Sequence, residues 1–425
     1  MHNFKYKKNN LFCEGVKVEE ICKNFNTPFY LYSSKTLIYN FKLLHKMLNG
    51  INFLIAYSVK ANSNLSVLKT FAKCGAGADV VSIGELKKAL KAGISNNKIV
   101  YSGVGKNVDE IAFALKNKIE QFNVESIEEL ETIAKIAEHI NMSANIALRV
   151  NPDISAGGHP KISTGKKTDK FGIPISEAKK VYELAKKFKS LKIVGIDIHI
   201  GSQIRYLTPF KKAFKKVLSF CMELEKLGFN FKNIDLGGGI GINYESDGED
   251  QQFLIEYTNL IKNTFKNTNK KIIIEPGRFL VANAGILVAS VLYKKTIDNK
   301  NFLIIDAGMN DLMRPALYDA RHIIRPLNKK VKNKTIKKFE VVGTVCETAD
   351  IVVKNANIYK SVKQGDYYFI DKAGAYGHVM ASSYNSKSIA SEIMVNKNDY
   401  SVIKKRIDPE DILKFEKIAP WLKKN

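Results

Sequence analysis

At 425 residues the chain is well beyond the size at which one hydrophobic core stops growing, so two domains are expected. Hydrophobic residues make up 45% and aromatic residues 10%, which places it among soluble globular proteins. The formal net charge of +25 does not mark a nucleic-acid binder, because the lysines are spread along the whole chain, often beside asparagine, with no Arg-rich or Lys-aromatic patch.

The opening segment, Met1-His-Asn-Phe-Lys-Tyr-Lys-Lys-Asn-Asn10, has no apolar signal core, so secretion is not expected. The longest apolar run, Phe279 to Tyr293, is too short to span a bilayer and contains Asn283, so no membrane partner is expected. Cys13, Cys22, Cys74, Cys221 and Cys346 are scattered, with no Cys-x-x-Cys pair. That set reads as reduced thiols in the cytoplasm and argues against structural zinc.

A short strand is expected at Phe29–Tyr32 and a helix over about 35–48. Then comes Phe53-Leu-Ile-Ala-Tyr-Ser-Val-Lys60-Ala-Asn62, an apolar, β-rich run that stops on a lysine, with a helix-like segment from Asn64 to Cys74 after it. A strand buried on both faces reads as a continuous apolar run. Lys60 is then either a strand-end lysine reaching solvent or one held in a site, where burial makes the amine a nucleophile.

From here the chain alternates. Strand-like runs appear at Phe53–Val59, Ala78–Ser82, Lys98–Ser102, Gln121–Val124, Asn145–Val150, Ile193–Ile200, Asn233–Leu236 and Lys271–Glu275. Helical patterns separate them, for example Ser82–Ala92, Asn107–Asn117, Ser126–Ile140, Ser176–Phe188, Thr208–Leu227 and Gln251–Phe265. Ser126 with Glu129 has capping-box spacing. Eight β/α units in a row point to a closed (β/α)₈ barrel of the TIM type, spanning 33–280, rather than an open doubly wound sheet. Past Arg278 the runs shorten (Ala284–Tyr293, Asn301–Asp306, Lys338–Val345, Asp350–Ala356, Tyr367–Asp371) and turns separate them. Residues 281–425, with 1–32, are expected to form a second, mainly β domain of barrel or sandwich type. The Lys/Asn-rich stretches at Asp298–Asn301 and Asn328–Lys338 read as exposed loops or hairpin tips, and Asp408 to Leu422 as a terminal helix.

In a barrel of this kind chemistry sits at the C-terminal ends of the strands, and phosphate often binds after strands seven and eight. Lys60 ends strand one, Arg149 lies near the end of strand five, and His199 with Gly201-Ser-Gln ends strand six. Gly237-Gly238-Gly239-Ile-Gly241 follows strand seven, and Glu275-Pro-Gly277-Arg278 closes strand eight. Asp79 is a further rim candidate. The glycine run is either a tight turn or an anion cradle, and its place on the barrel favours the cradle. No Gly-Lys-Ser/Thr follows, so it is not a nucleotide P-loop. A lysine and an anion cup on one rim suggest pyridoxal 5'-phosphate, which needs a Schiff-base lysine and a charged partner for its ring nitrogen. Glu275 is the acid placed for that partner, and His199 is placed either to stack on the ring or to be a core histidine.

Ala56-Tyr-Ser-Val-Lys60-Ala-Asn62, His199-Ile-Gly-Ser-Gln203, Asp235-Leu-Gly-Gly-Gly239, Glu275-Pro-Gly-Arg278, Asp306-Ala-Gly-Met-Asn310, Arg314-Pro-Ala-Leu-Tyr318, Cys346-Glu347 and Ala373-Gly-Ala-Tyr376 together resemble the diaminopimelate decarboxylases. These belong to the alanine-racemase-like pyridoxal phosphate enzymes, with a barrel and a β domain. The resemblance implies that Lys60 carries the cofactor, His199 stacks on its ring and Glu275 pairs with its nitrogen. It places Ser202, Gly239, Gly277, Arg278 and Tyr376 around the phosphate or nearby substrate. Arg278, Arg314 and Tyr318 would grip the distal carboxylate of the substrate, meso-diaminopimelate, as suits arginine's bidentate fork. Cys346, as proton donor, and Glu347 would reach a second subunit's site, implying a homodimer with shared active sites. On the residues alone Cys346 reads as a buried structural thiol. His159 to Gly172 resembles the family's lid, with Gly157-Gly158 as a hinge.

Thr344 and Thr348 stand where the family pattern has proline and serine, and neither replaces a proposed catalytic group. An ornithine-, arginine- or carboxynorspermidine-type decarboxylase is the nearest alternative, but Arg278 and Arg314 favour a distal carboxylate over a distal amine. An amino-acid racemase fits less well, since that branch carries a positive residue where Glu275 stands. A non-catalytic pyridoxal phosphate-binding relative is disfavoured by the intact Lys60, Glu275 and Cys346.

Overall fold

The computed structural model describes residues 3–155, 157, 170–246, 251–330 and 335–423. The expected lid therefore lies almost wholly outside the described residues. The chain forms two compact units, one of Leu37–Val281 and the other of the described residues up to Thr36 with those from Ala282 onward.

In the first unit eight parallel strands close on themselves: Phe53–Ser58, Gly77–Val80, Ile99–Tyr101, Gln121–Val124, Ala144–Asn151, Leu191–Asp197, Asn233–Asp235 and Lys271–Ile274, called strands one to eight. Strand eight pairs with strand one, Ile272 opposite Phe53, and this closes the barrel. A helix follows each of strands one to seven in the expected places, including Leu65–Lys73, Ile83–Lys91, Ile127–His139 and Thr208–Lys226. Their starts are set by side chains that accept the first free amides: Asn64 from Ser66, Ser82 from Glu85, and Asn107 from Glu110.

The reciprocal capping box falls on Asn107 and Glu110. At Ser126 only half of the expected box forms, because the Glu129 carboxylate turns to Lys106 Nζ, 2.7 Å away. A charged hydrogen bond to a buried ammonium outcompetes one to a helix-end amide.

The barrel interior has two chemically different layers. Leu54 and Ala56 of strand one, Val100 of strand three and Ile273 of strand eight form an apolar cluster. Strand three does not neighbour strand eight, so this contact crosses the interior. Beside it lies a polar layer. Asn233 Nδ2 of strand seven donates to Gln121 Oε1 of strand four at 2.8 Å, and Gln121 Nε2 donates to Asn123 Oδ1 at 2.8 Å.

The second unit is built on a nine-stranded mixed sheet. Gly285–Ile297 lies centrally and pairs antiparallel with Phe29–Ser33, Lys300–Ile305 and Tyr367–Ile370. A hairpin not expected from the sequence, Ser391–Asn396 with Asp399–Lys404, extends the sheet alongside Phe29–Ser33. Three short N-terminal strands, Phe4–Lys7, Asn10–Cys13 and Val16–Lys17, form a separate small sheet. The tail is not one helix: it is a five-residue helix, Pro409–Leu413, and a 3₁₀ turn, Pro420–Leu422. Phe415, Ile418 and Trp421 along it are exposed, so it lacks the buried apolar face that would hold a longer helix.

Candidate active site

Strand one stops at Ser58, two residues earlier than Lys60, and the chain folds into a 3₁₀ turn, Val59–Ala61. The turn presents Lys60 at the mouth of the barrel. Its Nζ lies 2.9 Å from Asp79 Oδ2, at the end of strand two, and Ser58 Oγ donates to the same oxygen at 2.8 Å. Asp79 is completely buried and the Lys60 side chain is 36% exposed, so the amine is reachable while its counter-ion is fixed. Burial alone would raise the Asp79 pKa. The Lys60 charge, with hydrogen bonds from Lys60, Ser58 and Ser102, outweighs it and holds the carboxyl below its usual range.

Glu275 follows strand eight and is tied in place by its backbone. Its N–H donates to Gly237 O at 2.8 Å, and its carbonyl accepts from Ser58 Oγ at 3.1 Å. Its carboxyl is buried with those of Asp197 and Asp235, one oxygen of each lying within 4.8 Å of the others. Burial, then repulsion from Asp235, Asp79 and Asp197, pushes the Glu275 pKa well up. Burial also raises Asp197 strongly and takes Asp235 to about 7. Burial thus favours the neutral acid over the carboxylate across this set.

His199 falls beyond strand six, which ends at Asp197 rather than at the expected Ile200. The apolar run continues because Ile198 and Ile200 are buried, but the ladder does not. His199 Nδ1 accepts the Gly238 amide at 3.1 Å. That bond requires an unprotonated Nδ1, in keeping with burial and the Arg149 and Lys60 charges, which drive its pKa to about 3. The imidazole is neutral.

The glycine run earns its composition here for a reason the sequence did not show. Gly237 has φ +64°, and a Cβ there would lie 2.5 Å from Ile198 O; one on Gly238 would lie 2.3 Å from Glu275 O. Two of its amides serve the chain itself, Gly237 donating to Asp235 Oδ1 at 3.0 Å and Gly238 to His199.

Two arginines complete the barrel rim. Arg149 lies inside strand five and is buried; its Nη1 donates to Glu125 Oε1 at 2.6 Å, Nε is 3.9 Å from Asp197, and the guanidinium covers the Phe171 ring at 4.9 Å. Arg278 opens the short helix after strand eight and donates to Tyr244 Oη at 2.9 Å and Ser202 Oγ at 3.0 Å. Sequence reasoning missed Asn123, Glu125, Asp197 and Tyr244. The available signal was Gln121 and Asn123, two amides at alternate positions of a buried strand.

In the β unit Arg314 is buried, with Nη1 2.6 Å from His322 Nε2, while Tyr318 ends the same short helix and Asp319 after it is left-handed, φ +49°. Cys346 is exposed, which corrects its reading as a buried thiol. Its loop is fixed by Asp350, whose carboxylate accepts the amides of Val345 at 2.8 Å and Met309 at 2.6 Å. Glu347 accepts from Tyr384 Oη at 2.5 Å, and Tyr376 has φ +55°.

The chain is similar to diaminopimelate decarboxylases over nearly its whole length. It is 42% identical to that of Zymomonas mobilis over 422 residues, 99% of both chains. It is 43% identical to that of Aquifex aeolicus over 401 residues, 94% of both. A family model described as the pyridoxal binding domain of pyridoxal-dependent decarboxylases matches residues 35–282. The chain belongs to the diaminopimelate decarboxylase family. Among solved structures, the family's Helicobacter pylori enzyme, complexed with L-lysine, superposes with a TM-score of 0.89 at 43% identity, covering 94% of this chain and 98% of that one. The M. jannaschii enzyme gives 0.92 at 34% identity, covering 99% of each.

The family's cofactor is pyridoxal phosphate, and the barrel residues fit it. Lys60 offers a reachable amine, and Glu275 is a buried acid with no cation of its own, among the described residues, close enough to offset its burial, so its pKa is pushed up. Arg278 and Ser202 converge beside the glycine turn as donors for an anion.

Proposed function

We propose that this family member decarboxylates meso-2,6-diaminopimelate to L-lysine and CO₂, the last step of lysine biosynthesis, as a cytoplasmic homodimer with shared active sites. The observation that carries the reading is a reachable amine, Lys60, and a buried carboxyl, Glu275, on one barrel rim. They occur in a chain whose 42%-identical relative is named for this reaction.

When bound, the cofactor supplies a carbonyl for the amine and an electron-accepting ring for the bond between Cα and the departing carboxylate. The chain does the rest. Lys60 Nζ carries the cofactor, and Asp79 keeps that amine at the mouth. Glu275, as a carboxylate, would pair with the ring nitrogen and keep the proton there, and neutral His199 would pack on the ring face. Gly237, Gly238 and Gly239 would shape the phosphate cradle with Gly277, Ser202, Arg278 and Tyr376 lining it, and Arg149 would be a further cofactor-binding residue. Arg278, Arg314 and Tyr318 grip the distal carboxylate. Cys346 Sγ, from the partner copy, gives the proton that replaces CO₂ at Cα, and Glu347 orients the substrate beside it. The exposure of Cys346, with Phe415, Ile418 and Trp421 on the tail, supports a surface that meets a second copy.

CO₂ release with added pyridoxal phosphate tests this, offering meso-diaminopimelate, ornithine, arginine and carboxynorspermidine in parallel with a Lys60→Ala control. Turnover of meso-diaminopimelate alone, lost in the control, is expected. Preference for a basic amino acid would overturn the substrate assignment.

A further inference from the structure

Arg314 is buried in the β unit, and one group that holds its guanidinium is a histidine, His322, eight residues further along and itself buried. The short helix Arg314–Tyr318 stops at Asp319, whose left-handed φ of +49° turns the chain back, and Ile324–Pro326 then pairs antiparallel with Tyr367–Ile370. Ile324 stands opposite Ile370, and Asp371 N donates to Ile323 O at 2.8 Å. The ladder thus runs one residue further and brings His322 beside Asp371. Asp371 is held in turn: its Oδ1 accepts the Lys372 amide at 2.8 Å, and its Oδ2 lies 3.9 Å from Arg325 Nη1. Both ring nitrogens of His322 face partners of fixed chemistry. Nε2 is 2.6 Å from Arg314 Nη1, and Nδ1 is 2.9 Å from the backbone oxygen of Asp371. A guanidinium can only donate and a carbonyl oxygen can only accept. Nε2 therefore accepts and carries no proton, while Nδ1 donates and carries one. The two partners assign a neutral ring and its tautomer, because no other protonation state makes both bonds.

We propose that His322 is a positioning residue: clamped to Asp371 O through its Nδ1–H, its neutral ring holds Arg314 by Nη1 and fixes the plane of the guanidinium for the substrate's distal carboxylate. This rests on the reading of Arg314 as a residue that grips that carboxylate. A neutral acceptor suits the task. Glu125 holds Arg149 through an opposite charge and so takes up part of that cation's field. An imidazole lone pair directs the N–H of Arg314 without neutralising it. Direction matters because a guanidinium meets a carboxylate through a planar fork of two N–H groups, and a rotated fork loses one of the two bonds. Fixing a long, rotamer-rich side chain beforehand also lowers the ordering cost of binding. The clamp begins in the backbone. Strand pairing places Asp371 O, that oxygen sets the tautomer of His322, and the tautomer turns a lone pair onto Arg314.

Two amides separate the halves of the clamp. His322→Gln puts an oxygen near the Nε2 position and keeps an acceptor for Arg314. His322→Asn puts its NH₂ near the Nδ1 position and keeps a donor for Asp371 O, but is too short to reach Arg314. His322→Leu removes both bonds. KM and kcat for meso-diaminopimelate, measured with saturating pyridoxal phosphate, are expected to split. Leu and Asn should raise KM at least about tenfold, about 1.4 kcal/mol, with kcat within about threefold of the parent, because an acceptor for a charged donor is lost. Gln should stay within about threefold in both. A Leu variant equal to the parent would mean there is no role. Asn matching the parent where Gln does not would mean that only the Asp371 bond counts. Losses of kcat and cofactor affinity as large as the rise in KM would mean general damage to the fold. Each of these overturns the proposal. Nitrogen–proton correlation spectra of the holoenzyme with isotope-labelled histidine give a second readout, free of turnover. The His322 signals, assigned by their absence from the His322→Gln spectrum, should be those of a neutral Nδ1–H ring at neutral pH. An Nε2–H ring or an imidazolium would overturn the proposal even if the Leu and Asn variants do not fold. Arg314→Gln, run alongside, separates the two readings. If it leaves KM unchanged, the assignment of Arg314 fails; if it raises KM while His322→Leu does not, only the role of His322 fails.

Discussion

Replacing Lys60 by alanine tests the rim through stability, apart from catalysis. In the cofactor-free protein Lys60 Nζ is 2.9 Å from Asp79 Oδ2, and Asp79 is completely buried. Without the amine, Asp79 keeps Ser58 Oγ at 2.8 Å but loses the cation that holds its carboxyl below the ordinary range. Burial then dominates and the folded state holds the neutral acid. With an unfolded pKa of about 3.9, keeping that proton costs about 4 kcal/mol at pH 7 and about 1.5 kcal/mol at pH 5. The variant's folded state binds a proton that its unfolded state releases, so its deficit against the parent grows with pH. The parent's Asp79 is ionised in both states across this window and adds no slope. Urea unfolding at pH 5, 6 and 7 should be followed by circular dichroism, since the single tryptophan, Trp421, is 82% exposed and far in sequence from the barrel. Lys60→Ala with Asp79→Asn should recover most of the loss, as a double-mutant cycle requires of a coupled pair. A deficit that is equal at pH 5 and 7, or below about 1 kcal/mol at pH 7, would refute the claim that Lys60 compensates the buried Asp79.

Three other outcomes are expected. Glu275→Gln should lower CO₂ release by about a hundredfold, about 2.7 kcal/mol, because an amide cannot balance a positive ring nitrogen; activity within about threefold of the parent would contradict that role. His199, with a pKa near 3, stays neutral when folded. Below about pH 6.5 the unfolded chain takes up a proton that the folded one refuses, so this group favours unfolding as pH falls, and its substitution by glutamine should flatten the acid limb of a stability profile. Gly237→Ala combines φ +64° with a Cβ 2.5 Å from Ile198 O, and should lower the unfolding free energy by at least about 1–3 kcal/mol. An unchanged urea midpoint would show that the turn relaxes freely.

The barrel was legible because its strands are buried on both faces. Phe53–Ser58 and Lys271–Ile274 read as apolar, β-rich runs, and each falls within two residues of the expected limits. The rim was legible through residue types out of place at strand ends, Lys60 and Glu275 above all. Strand six was drawn too long because burial, which sequence reports, outlasts ladder pairing, which it does not: Ile198 and Ile200 are buried beyond the last paired residue, Asp197. The hairpin Ser391–Lys404 was missed because its residues alternate with charges and hydroxyls, and its outer strand is half-exposed, so little apolar signal remains. The partner of Arg149 is Glu125, and the partner of Glu129 is Lys106. Both pairings join successive β/α units, and no local pattern announces them.

The barrel interior explains why several of these acids were unreadable one at a time. Asp79, Glu125, Asp197, Asp235 and Glu275 are all buried there, against the cations Lys60 and Arg149 and a neutral His199. Were every acid ionised, the interior would carry a surplus of negative charge in a medium that penalises each one by several kcal/mol. The chain assigns its cations to Asp79 and Glu125, and burial raises the pKa values of the set around Glu275. An acid whose pKa burial has raised, beneath a rim that carries a reachable amine, is poised for a ligand that brings its own positive charge. That division of charge is a property of the folded barrel, and no single residue in the sequence expresses it.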